Sequence, residues 1–301
     1  MSNKKNTNKK ITTLRLARII AALTYQLAKL IMPMYGPKGR KGYGKPRLLA
    51  LYAGKIALKN APWSEITEIA RLVKDDIGLE DIPDESTVRK FVSKLDIKIV
   101  NTFIALTLAI AGLKHITIAV DSTGFTLYGP SHYFLRRAKK RESFMKLHVA
   151  MDVDSKLILV SIATTDGAHD GKVFREQIVR LLMALKDLLG FDISFVLADA
   201  MYDSEENIRL VWDDLRALPL INIARRGGAI RNVLRLLVKR LVEANKHIYG
   251  RRWLLEAAFK TIKRLFGCEV RSLSRRMAAI ETAFKAVCYN LYRLCLYLGL
   301  L

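Results

Sequence analysis

The chain has 301 residues, enough to bury a large core and to divide into about two domains. Its 51 Lys and Arg against 28 Asp and Glu leave a net charge of +23, a field that recruits a polyanion, either nucleic acid or an anionic membrane surface. No run reaches roughly 18 uninterrupted apolar residues, since Arg18 and Lys29 break 16–32 and Arg293 breaks 291–301, so nucleic acid is favoured.

The first residues lack a signal-peptide pattern, and a cytosolic, nucleoid-associated protein is expected. Cys268, Cys288 and Cys295 are odd in number and without metal-type spacing, which predicts reduced, buried thiols. Residues 1–10 are polar and Lys-rich, and every charged side chain before Glu65 is a cation. That arm is either solvated or a phosphate binder. The pattern over 14–32 predicts an amphipathic helix ended by Pro33, and 35–46 mixes glycine, proline and cations into a flexible basic loop.

Three short helices are expected next, over 47–59, 64–76 and 86–95, with Ser64 and Ser86 as N-caps. They resemble a helix-turn-helix with Thr87, Arg89 and Lys90 opening a recognition helix. A packing or dimerisation module is the other reading. The expected division is a basic arm, helix and loop over 1–46, a helical module over 47–100, and a larger α/β domain over 101–301.

From about 100 the texture changes. Ile116–Val120 is a β-branched run that reads as a strand ending at Asp121, and 146–153 and 157–165 read as a hairpin around Asp154-Ser-Lys. A helix over 171–189, a strand at 193–197, a helix at 204–215 and a strand at 218–223 follow, then a basic helix within 224–247. The long apolar stretch 273–301 either packs on the sheet or meets a partner. This order predicts a mixed sheet with helices on both faces, as in ribonuclease-H-like proteins, preceded by an α-helical region.

Two expected strands end at an aspartate, Asp121 after His-Ile-Thr-Ile-Ala-Val and Asp199 after Phe-Val-Leu-Ala. Either alone reads as a turn or cap residue. Neighbouring strand ends would bring them side by side, where ligands of open sheets collect. The stretch 249–263 reads as one helix, with Tyr249, Arg252, Glu256 and Lys263 inside an arc of about 60°. Glu256 there is the only acid between Glu243 and Glu269. It either pairs with Lys260 four residues on, or joins the aspartates. Three clustered carboxylates repel one another unless a hard cation such as Mg²⁺ or Mn²⁺ lies between them.

The spacing Y-x2-R-x3-E-x6-K, together with Asp121-Ser-Thr-Gly, the segment from Lys146 to Asp170 and Ala198-Asp199-Ala-Met-Tyr202-Asp203, resembles the DDE transposases of bacterial and archaeal insertion sequences. The likeness covers about 116–298 and departs at Met201, where relatives often have glycine. It implies a ribonuclease-H-like fold with Asp121, Asp199 and Glu256 as catalytic acids and metal ligands for two Mg²⁺ or Mn²⁺ ions. It also implies in-line cleavage and strand transfer of double-stranded DNA at element ends and target, by a homodimer, with no membrane. Arg252 and Lys263 would be phosphate clamps and Tyr249 a base or phosphate contact.

Arg251 and Lys260 flank them as further DNA-binding cations, and Arg225, Arg226, Arg231, Arg235, Lys239 and Arg240 read as either a solvated helix face or a DNA track, the track being favoured. His148 and His169 are expected to be structural, and Asp152, Asp154, Asp166, Asp170 and Asp203 mostly turn residues. Two other functions remain open at this point, a catalytically inactive transposase-derived DNA-binding protein and a general ribonuclease-H-like nuclease.

Overall fold

The computed structural model describes residues 12–32, 43–128, 144–165, 168–224, 232–272 and 274–299. The basic arm, most of the 35–46 loop, Asp166, Arg225, Arg226 and Arg231 lie outside the described residues.

Helices α1 (Thr13–Ile31), α2 (Lys45–Ala57), α3 (Ile66–Ile77) and α4 (Glu85–Val92) pack on one another, and α5 (Lys98–Ala111) leads into the sheet. Two expected caps are corrected. Asp84, not Ser86, caps α4 by accepting from the Thr87 N–H at 2.9 Å, and Ser64 lies inside a 3₁₀ turn after Pro62. Arg89 is held by Glu85 at 2.8 Å. Helix α5 is not read from the sequence, because its exposed side carries Thr102, Ala109 and Ile110 where charges would mark it, leaving little amphipathic contrast.

The sheet holds β1 (His115–Leu127), β2 (Phe144–Asp152), β3 (Ile158–Thr165), β4 (Asp192–Ala198) and β5 (Leu218–Ile221) in the order β3-β2-β1-β4-β5, with β6 (Glu269–Val270) also on β1. Strands β1 to β3 are antiparallel neighbours, while β4 and β5 run parallel to β1. This is the expected ribonuclease-H-like arrangement. Helices α6 (170–189) and α7 (205–214), each with a π-helical turn, alternate with the later strands. After β5 come α8 (Val233–Ala244), α9 (Lys246–Gly250), α10 (Trp253–Phe266) and α11 (Arg275–Tyr297). Among the described residues no helix is long and apolar enough to cross a membrane.

Strand β1 does not stop at Asp121, which is a correction. It continues to Leu127 because its other edge stays paired with β2, from Ile118–Asp152 through Thr126–Phe144. Gly124 survives in this strand because the Phe144 ring of β2 lies 3.4 Å from where a Cβ would stand, covering the bare backbone.

Cross-strand register sorts the two faces. Asp121, Val149 and Ser161 share one row, and the Ser161 hydroxyl donates to the Ala283 carbonyl of α11 at 3.2 Å, so α11 covers the Asp121 face. Asn290 of α11 exchanges two 2.8 Å hydrogen bonds with the backbone of Ile158 and donates to Thr107 of α5 at 3.0 Å. The 275–297 helix therefore packs on the sheet. One apolar core runs from Leu16 in α1 to Leu294 in α11.

Candidate active site

The notch that holds the site follows from register. Parallel pairing of β1 with β4 ends at Val120–Ala198, and β6 takes up the same edge of β1 only at Thr126–Glu269. The residues that follow the last pair are Asp121 and Asp199, level with one another on adjacent strands. Asp121 accepts the Ser122 N–H at 2.8 Å, and Asp199 accepts the Met201 N–H at 2.8 Å, capping a 3₁₀ turn over Ala200–Tyr202. Met201 is exposed and its φ is not in the left-handed region, so this turn needs no glycine there.

The third acid arrives from α10. The stretch 249–263 is not one helix: α9 ends at Gly250, and Arg251–Arg252 form a tight turn with i→i+3 hydrogen bonds from Arg252 N to the Tyr249 carbonyl (3.1 Å) and from Leu255 N to the Arg252 carbonyl (3.0 Å). Glu256, in the first turn of α10, pairs with Arg252 at 3.1 Å and not with Lys260. The same guanidinium donates to Asp121 Oδ2 at 2.9 Å, so one arginine spans two of the three expected acids. Burial pushes the Asp121 carboxyl above its ordinary pKa, and Asp199 and Glu256 add to this against the Ser122 N–H and Arg252. Burial likewise raises Tyr249, with Asp199 and Asp121 adding and Arg252 opposing, which puts the phenol within the same field.

Other expected contacts lie apart. Lys263 is half-buried over the Phe125 ring, 5.5 Å from its centroid and four residues along β1 from Asp121; burial lowers its pKa. Lys285 faces the same ring at 4.8 Å. Lys260 is exposed, and Arg251 is bound to Asp154. Arg235 is withdrawn from the expected DNA track, since it holds the buried Asp203 with hydrogen bonds of 2.9 and 2.5 Å, while Lys239 and Arg240 face solvent.

Asp203 and Asp170 are therefore not simple turn residues. Asp170 opens α6 on the opposite face of the sheet, 2.6 Å from Lys146 Nζ and 3.0 Å from Nδ1 of the fully buried His148, the latter without the alignment of a hydrogen bond. Burial opposes its ionisation, but His148, Lys146 and Ser122 outweigh it and hold Asp170 far below the usual carboxylate range. Tyr202 is buried, and its hydroxyl has no hydrogen-bond partner among the described residues. Burial, then Asp170, Asp121 and Asp199, push its pKa well up. The sequence shows only that Lys146 and His148 share a strand face; their partner lies more than twenty residues on.

Among the described residues no three His, Cys, Asp or Glu side chains stand close enough together to hold a metal ion as they are. The donor chemistry nonetheless suits a hard divalent cation. Asp121, Asp199 and Glu256 offer carboxylate oxygens, and a cationic group already lies between two of them.

The family model described as Transposase DDE domain matches residues 112–291, from the turn before β1 to the middle of α11. No curated protein matches the chain. Among solved structures, the Drosophila P element transposase strand transfer complex is 9% identical, covering 91% of this chain and 86% of that one with a TM-score of 0.33. A pre-cleavage Mos1 transpososome is also 9% identical, covering 88% and 82%, with a TM-score of 0.26. At that overlap neither informs individual residues. The family match spans more than half of the chain and every strand of the sheet, and the chain belongs to the transposase DDE domain family.

Proposed function

We propose that the chain is an active transposase that cuts double-stranded DNA at the ends of its own insertion sequence and joins them to a target, with Asp121, Asp199 and Glu256 as catalytic acids. The observation that carries this reading is the register of β1 and β4, whose last paired residues each precede an aspartate beside an open notch. Two divalent ions, Mg²⁺ or Mn²⁺, held by those carboxylates would activate the attacking hydroxyl and stabilise the leaving oxygen.

The chain's own residues supply the rest. Asp121, within β1 where its pairing with β4 stops, and Asp199, just past β4, would bind from the sheet and Glu256 from a helix, so the acids approach from two sides of the notch. Arg252 offers a fork of donors suited to two phosphate oxygens, and Tyr249 stands beside it. A water, and then the freed 3′-hydroxyl, attacks phosphorus in line while the opposite oxygen departs. Lys263, over Phe125 of β1, meets the DNA backbone farther from the acids, and Arg251, Lys260, Arg225 and Arg226 are assigned to further DNA contact. The helices over 47–100 serve as the DNA-binding or dimerisation module, and a homodimer holds both ends.

The test is cleavage of labelled DNA carrying the repeats that flank the chain's own gene, with Mg²⁺, with EDTA and with Glu256→Gln. Metal-dependent nicking at the repeat ends that disappears in the variant supports the proposal. Salt-sensitive binding without cleavage under any metal favours an inactive DNA-binding relative, and cutting indifferent to the repeats a general nuclease.

A further inference from the structure

We propose that Arg252 is a counterion lock: in the DNA-free chain its guanidinium occupies the cation position between Asp121 and Glu256, and a DNA phosphate must draw it away before those carboxylates take up divalent metal. This deepens the transposase reading and rests on it.

The argument is one of competition for the same atoms. Arg252 Nη1 lies 2.9 Å from Asp121 Oδ2, and Nη2 lies 3.1 Å from Glu256 Oε1. A divalent ion held by these carboxylates would compete with the fork for one oxygen of each and for the same negative field. Deprotonation cannot release them, because an arginine stays charged at any working pH. The side chain has to move.

Its place in the chain allows that. Arg252 belongs to the two-residue turn between α9 and α10, with only i→i+3 hydrogen bonds around it, and its side chain keeps about a fifth of its surface exposed. A phosphodiester entering the notch carries the same single charge as a carboxylate but offers two free oxygens to one fork, a bidentate pairing that neither Asp121 nor Glu256 makes with Arg252 here. Once the fork turns to the phosphate, Asp121, Asp199 and Glu256 face one another without a counterion, and metal affinity rises. Linkage makes the effect reciprocal, so bound metal tightens DNA by the same factor. The device keeps the DNA-free protein from loading metal and cutting indiscriminately.

The experiment counts Mn²⁺ bound by the full chain, using the electron paramagnetic resonance signal of free Mn²⁺, with and without a short duplex carrying a terminal repeat. Wild type, Arg252→Gln, Arg252→Lys and Asp121→Asn are compared, with circular dichroism to verify folding. Without DNA, Arg252→Gln should bind Mn²⁺ at least about tenfold more tightly than wild type; DNA should tighten wild type by a similar factor and the variant far less. Arg252→Lys keeps the charge but not the fork, and should bind nearly as tightly as Arg252→Gln.

Equal affinities of DNA-free wild type and Arg252→Gln would overturn the lock. So would a lysine variant that behaves as wild type, which marks charge alone. Mn²⁺ binding that Asp121→Asn leaves unchanged, or no binding by any sample, would bring down the metal site itself and the catalytic reading with it.

Discussion

Replacing Gly267 by alanine should destabilise the protein by about 2–6 kcal/mol, and the structure supplies both parts of that figure. Gly267 ends α10 with φ at +79° and ψ at 146°, outside the left-handed helical region and in a part of backbone space reached essentially by glycine alone, at a cost of about 1–3 kcal/mol to an L-residue. An added Cβ would also stand 2.7 Å from the Lys59 carbonyl oxygen and 3.1 Å from its carbon, an overlap worth about 1–3 kcal/mol. The carbonyl is poorly placed to retreat. Lys59 and Asn60 are themselves left-handed, at φ 56° and 58°, and the Asn60 side chain is tied to Lys55 and Glu281 at 2.6 Å each and to the Glu269 carbonyl at 3.0 Å. Gly190, at φ +69° with nothing within 4 Å of a built Cβ, is the internal control and should cost only the backbone strain. Urea denaturation followed by circular dichroism should separate Gly267→Ala from Gly190→Ala by at least about 1 kcal/mol. Equal losses would refute the reasoning, because they would mean that the turn at Lys59 yields to the new methyl.

The buried Lys55 and Lys285 are each lowered to about 8, burial being the main cause and Glu281 opposing it. The unfolded chain, with lysines near 10.5, binds more protons between pH 8 and 10, so stability should rise with pH across that window, and Lys285→Met should flatten the rise in a urea series. Asp170 is depressed, so its contribution is present above the ordinary aspartate pKa and fades as pH falls below it. Asp170→Asn should therefore weaken the neutral-pH protein and reduce its loss of stability on acidification, measured by denaturant midpoints between pH 7 and 3. Arg235→Met removes the guanidinium from the buried Asp203 and should cost about 3–5 kcal/mol, with Asp203→Asn in the same chain recovering part of it in thermal unfolding. Asp121→Asn, Asp199→Asn and Glu256→Gln should each abolish cleavage while a gel-shift assay shows DNA binding retained. Cleavage retained by any one of them would refute its role.

Much of this architecture was legible because its signals are local. The β-branched run before Asp121 and the apolar run before Asp199 mark strands on their own, and their shared topology sets the aspartates level. What escaped depended on partners far along the chain. Asp121-Ser-Thr-Gly reads as a turn, yet β2 and the Phe144 ring keep it extended. Asp170 and Asp203 read as turn residues because their cations, Lys146 and Arg235, stand 24 and 32 residues away. A strand of two residues such as β6 has no periodicity to detect. Within 249–263 the composition is helical throughout, and the break at Arg251–Arg252 follows Gly250, a residue whose cost in a helix is small enough to pass unnoticed. The arc already set Arg252 beside Glu256, but its hold on Asp121, 131 residues away, was hidden.

Strand β3 closes one side of the sheet, and a closing strand offers free amides and carbonyls on which another chain can zip. Here Asn290 of α11 occupies both backbone groups of Ile158 with a side-chain amide, a mimic of a peptide unit that cannot propagate further. Such a plug matters in a chain of net charge +23, whose repulsion between copies falls wherever that charge is screened. Asn290→Leu would keep the bulk but leave the amide and carbonyl of Ile158, buried with the start of β3, without partners.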